Sequence, residues 1–111
     1  MSKLTLHGKP FHLKSWTLSQ AEMIEERLGI SLVDFQGRIR EVKTAFLVSV
    51  RGQHGLETLG DVEAYVKDFA DVRAVDQALA PLLTEAIKQR YALVEALAAE
   101  PEGNSSPDPE D

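Results

Sequence analysis

The chain has 111 residues, 43% of them apolar, no cysteine, and 18 acidic against 12 basic residues, a net charge of -6 with a pI near 5.0. Without cysteine there is no disulfide framework and no thiolate ligand or nucleophile, and an acidic chain lacks the basic face from which a nucleic-acid binder gains by counterion release. No apolar run of 18 residues suggests a membrane span, and the first residues lack the apolar block of a signal peptide, so a cytoplasmic domain with one modest core is expected.

Residues 3 to 14 read as a β-hairpin. Pairing Leu6 with Phe11 and Leu4 with Leu13 puts four apolar side chains on one face, with His7-Gly8-Lys9-Pro10 as the loop. A lone hairpin is marginal in water, so this one is expected to lie on helices. Thr17-Leu18-Ser19-Gln20 is a capping-box pattern, after which Ala21, Ile24 and Leu28 recur at helical spacing and Gly29 supplies a stop. Ser31 opens a short helical turn that ends near Gly37. A helix is predicted over residues 38 to 51. Ile39, Val42, Phe46 and Val50 form its stripe, Ala45, Leu47 and Val48 widen it, and residues 44 to 50 carry no charge. A helix apolar around most of its girth is the central core helix, meets a partner, or does both.

Residues 52 to 55 read as a break. Thr58 is expected to cap a helix carrying Val62, Tyr65, Val66 and Phe69, with Asp61 and Glu63 in its first turn. Asp71 is the expected cap of a last helix reaching about Ala99, with Val72, Val75, Leu79, Leu82, Leu83, Ile87, Val94 and Leu97 apolar. Pro81 removes one hydrogen bond of that helix and predicts a kink or a break. The last twelve residues, EPEGNSSPDPED, hold five acids, three prolines and no base, leaving 13 acids against 12 bases elsewhere. Such a segment cannot bury enough apolar area to offset its ordering entropy and is expected to be disordered. The fold class is therefore mainly α: a small domain over residues 1–99 with four to five helices and an N-terminal hairpin, then an acidic tail over residues 100–111.

Few residues point to catalysis. His7 and His12 could approach across the hairpin, but no third metal ligand is evident. Glu22, Glu25 and Glu26 read as a solvated helix face, because nothing nearby would desolvate them and raise a pKa. No Gly-rich phosphate loop and no nucleophile elbow is present. Trp16, just before a helix cap, can pack over the hairpin or serve as a binding anchor. A helix-turn-helix in the second half would offer only Arg73 beside Asp71 and Asp76, which a phosphate backbone would repel. The expected function is thus non-enzymatic, with no cofactor, metal, nucleic acid or membrane partner.

A hairpin leads into Lys14-Ser15-Trp16-Thr17-Leu18-Ser19, followed by the hinge Leu28-Gly29-Ile30-Ser31-Leu32-Val33-Asp34. Next come the apolar helix Lys43-Thr44-Ala45-Phe46-Leu47-Val48-Ser49-Val50-Arg51 and the Thr-led segment Leu56-Glu57-Thr58-Leu59-Gly60-Asp61-Val62-Glu63-Ala64-Tyr65. With the acidic, proline-containing end, this order resembles the tail assembly chaperones of long-tailed, siphovirus-type bacteriophages. The resemblance implies a protein that binds the long helical tape measure protein, keeps it soluble and recruits tail tube protein. It implies action in the host cytoplasm, absence from the mature virion, and a longer product made by programmed frameshift. Self-association is expected while the partner is absent. The expected partner-binding residues are Trp16, Phe46, Leu47, Val50, Leu82, Leu83 and Ile87, on the reasoning that Leu47 beside Phe46, and Leu83 beside Leu82, leave one of each pair turned outward. Two other classes remain open, a small acidic adaptor or regulatory protein and a structural head-tail connector.

Overall fold

A computed structural model describes the backbone of residues 2–99 and the side chains of residues 2–90. The tail expected at residues 100–111, and the side chains of Val94 and Leu97, lie outside the described residues. The architecture is mainly α: two antiparallel strands, β1 (Ser2–Leu6) and β2 (Lys9–Leu13), then α1 (Leu18–Leu28), α2 (Ile39–Val50), α3 (Leu59–Val62) and α4 (Phe69–Ala99). Among the described residues, no helix is long and apolar enough to cross a membrane.

The hairpin forms, but its register runs from Leu6 opposite Lys9 to Ser2 opposite Leu13, two residues away from the expected pairing. The loop is only His7-Gly8, with φ of +50° and +81°. Positive φ at both central residues makes the turn whose twist matches the strands, and glycine accepts it freely. The parity of the faces survives the shift, so Leu6, Phe11 and Leu13 are still buried together and Leu4 half-buried beside them. Pro10 joins the ladder without loss. The pair flanking a two-residue turn is hydrogen-bonded, so the next pair, Thr5 with Pro10, needs no N–H from either strand.

β2's outer edge is closed by side chains. The His12 N–H donates to Gln53 Oε1 at 2.8 Å, and Gln53 Nε2 donates to the His12 carbonyl at 2.9 Å. His54 Nε2 lies 2.6 Å from the Pro10 carbonyl oxygen. Both residues belong to the 3-10 turn Gln53–Gly55, where His54 holds a φ of +51°.

The core is built around α2. Val42, Ala45, Phe46, Leu47, Val48 and Val50 are all buried, and Phe11 of the hairpin meets the Phe46 ring edge-on at 5.1 Å. Ile39 was expected in the same stripe, but it opens the helix and is 46% exposed. Glu41 starts α2 from inside: its carboxylate accepts from the backbone N–H of Gln36 and Arg38 and pairs with the Arg38 guanidinium at 3.1 Å. It therefore ties down the segment that leads into the helix, including the backbone N–H of the Arg38 cap position.

Several helix limits depart from expectation. Thr58 does cap α3, with Asp61 completing the box, but the regular helix ends at Val62 and Tyr65 and Val66 follow in a turn. Phe69 instead opens α4, where it is 75% exposed. The side-chain cap of α4 is Asp68, which accepts from the Asp71 N–H at 2.9 Å. Asp71, expected as the cap, sits in the first turn and accepts from the Lys67 N–H and from His7 Nε2. Ser31 makes no capping bond; the Leu32 N–H is taken by Glu25 Oε2 at 2.8 Å. Pro81 does not break α4, which stays helical from Phe69 to Ala99 with the proline on an exposed position.

Candidate functional site

α1 starts at a capping box in which Thr17 Oγ1 accepts from the Gln20 N–H and Gln20 Oε1 accepts from the Thr17 N–H. It stops at Gly29, whose φ of +70° lets its N–H reach the Glu25 carbonyl. Two links fasten its start to α2. Trp16 Nε1 donates to Ser49 Oγ at 2.7 Å, and Gln20 Nε2 donates to the Val48 carbonyl. Trp16 is thereby held against the core at 6% exposure.

The face of α1 formed by Leu18, Ala21, Glu22 and Glu25 follows the i, i+3, i+4, i+7 spacing of one helix side. Ala86, Gln89 and Arg90 form a matching face of α4. Between them runs a trough of about 410 Å³, with Trp16, Thr17 and Leu32 completing its lining. α1 and α4 each pack on α2, and polar links join α4 to α1 and to the segment before it. The Arg90 guanidinium pairs with Glu25, and Ser15 Oγ donates to Glu85 Oε1 at 2.5 Å. Leu18, on the α1 side, is 72% exposed.

The trough holds a fixed negative charge. Burial pushes the Glu25 carboxyl up, but bonds from Arg90, the Leu32 N–H and the Ser31 hydroxyl outweigh it and hold the pKa below the usual carboxylate value. Glu22 stands on the same wall, exposed and without a side-chain partner among the described residues. A shallower depression of about 330 Å³ lies elsewhere, between the starts of α2 and α4, lined by Ile39, Lys43, Val66, Lys67, Asp68, Phe69 and Val72.

Of the seven residues expected to meet a partner, only Trp16 lines the trough. Phe46, Leu47 and Val50 are at most 1% exposed. Leu47 does not turn outward, because α2 is covered by the hairpin, α1, α3 and α4 and has no open side along this stretch. Leu82 is buried too, while Leu83 and Ile87 are half-buried against the core and keep some exposed area. Leu18, Ala21 and Ala86 were missed. The available signal was an apolar residue placed directly after the Thr17 cap and beside the one tryptophan.

The histidines do not converge. His7 binds Asp71 at 2.8 Å, and no cluster of three or more metal-ligating side chains occurs among the described residues. Glu25 is less solvated than expected, being tied to both Arg90 and the loop after α1. No protein-family model, curated protein or solved structure matches this chain, so its function is read from the trough itself.

Proposed function

We propose that this protein is a tail assembly chaperone of a long-tailed bacteriophage. In this reading it binds helical segments of the tape measure protein in the host cytoplasm, keeps them from aggregating, helps recruit tail tube subunits, and is left out of the finished virion. The supporting observation is the trough between α1 and α4, with its apolar Trp16, Leu18, Ala21, Leu32 and Ala86. A furrow between two helices that rest on a third is suited to the apolar face of one more helix, whose anchors recur at i, i+3, i+4 and i+7. A chaperone needs such a face to stay open without unfolding its owner. Here Trp16 and Leu32 line the trough as members of the core that closes around α2, while Leu18 beside them stays exposed.

Co-expression with the tape measure protein encoded in the same genome tests the reading. The wild type is expected to raise the soluble fraction of that protein and to co-purify with it. Leu18→Asp is expected to keep the far-ultraviolet circular dichroism of the wild type and to lose both effects. A wild type that leaves the tape measure protein insoluble overturns the function, and a Leu18→Asp variant as effective as the wild type removes the trough from it.

A further inference from the structure

We infer that the trough selects a basic amphipathic helix, one whose apolar anchors are flanked by lysine or arginine. The inference rests on the proposed docking of a helix between α1 and α4 and specifies the chemistry of that helix.

Three observations carry it. First, the α1 wall presents acids and the α4 wall does not balance them. Glu22 is exposed with no side-chain partner among the described residues, and Glu26 follows one turn later, also exposed. The basic residue of the lining, Arg90, is engaged with Glu25, whose low pKa keeps that carboxylate ionised as well. A helix laid against Leu18 and Ala21 therefore brings its flanks beside Glu22 and Glu26.

Second, further acids follow α4 in the sequence. The described helix backbone runs to Ala99, nine residues and about 14 Å beyond Arg90. Twelve further residues follow, with five acids and no base. Their charge raises the local concentration of a cationic partner and speeds its encounter.

Third, the competing occupants are disfavoured. The chain's own end, EPEGNSSPDPED, has no large apolar side chain to place against Trp16 and Leu32. A second copy docking through its own α1 would set its Glu22 and Glu26 against the same acids, and like charges in contact oppose association. An acidic helix meets the same repulsion.

Two designed helices without tryptophan test this, each about five turns or roughly 18 residues long. They share one leucine and alanine stripe and carry either lysine or glutamate on the flanks. Trp16 is the sole tryptophan and lines the trough, so its emission in the full-length protein reports occupancy directly. The lysine helix is expected to shift Trp16 emission saturably, with an affinity that falls as ionic strength rises. The glutamate helix is expected to bind about tenfold more weakly or less. Glu22→Lys narrows that gap, and the neutral variant Leu18→Ser weakens both helices.

Equal, salt-insensitive binding of the two helices overturns the charge selectivity while leaving helix docking intact. If neither helix changes Trp16 emission, docking in the trough fails, and the proposed function loses its supporting observation with it. If the lysine helix binds but Leu18→Ser makes no difference, the helix is held by acids outside the trough and the inference is again overturned.

Discussion

α2 and the trough wall of α1 make opposite use of their apolar residues. α2 carries a run of seven uncharged residues and hides all but one of them; Thr44, Ala45, Phe46, Leu47, Val48 and Val50 are buried and Ser49 half-buried. The α1 wall has only Leu18 and Ala21, followed by Glu22 and Glu25, and on this sparse face Leu18 stays open to solvent. Density of apolar residues thus marks where the fold closes on itself. A binding face has to remain exposed without aggregating, so it is thin in apolar residues and interrupted by charge.

The strongest attack on this comparison is Leu47→Ala. With Leu47 at 1% exposure, the substitution opens a cavity in the centre and is expected to cost about 2–5 kcal/mol, read as a lower urea midpoint. An unchanged midpoint would mean that α2 is not the element the core depends on.

Glu41→Ala probes the one charge α2 buries. It leaves the Gln36 and Arg38 N–H groups without their acceptor and is expected to cost about 1–3 kcal/mol at neutral pH. Burial raises the Glu41 carboxyl, but those N–H bonds and the Arg38 guanidinium prevail and lower its pKa. Glu25 is lowered in the same manner. Each carboxyl then binds fewer protons folded than unfolded. Its stabilisation is complete above the unfolded glutamate value of about 4.3 and drains away as the pH falls through the lower folded value. Urea midpoints of the wild type should therefore drop in that acid window, and those of Glu41→Ala should drop less. Parallel pH profiles would remove Glu41 from the acid response.

The smallest effect is expected at Leu18. Leu18→Ser removes a large apolar side chain that is already 72% exposed, so the thermal midpoint should move by no more than about 0.5 kcal/mol equivalent. A large loss would show that Leu18 is part of the core and that the trough wall is not a free surface.

Much of the fold was legible because its signals are local. Thr17 with Gln20, Thr58 with Asp61, and Gly29 each act on backbone groups within one turn, and each does what its spacing implies. The hairpin faces were legible by alternation, but the register was not. It depends on His7 accepting a positive φ, which a histidine does not advertise, and on Pro10 falling at a pair that needs no N–H. The choice of Asp68 over Asp71 as the cap of α4 was hidden because both side chains suit the position. Asp71 is drawn instead to Lys67 and to His7, 64 residues away in sequence. The site was the least legible part. Whether Leu47 or Leu18 faces solvent is set by which helices surround α2, and that is a property of the assembled layers.

The Gln53 side chain acts as a one-residue surrogate strand. By taking both polar groups of His12 it ends the sheet on that side, so no third strand can be recruited there. It also couples two segments 41 residues apart. The His12 amide is released to solvent once the Gln53 side chain lets go, so the hold of that side chain sets the protection of the hairpin's outer edge.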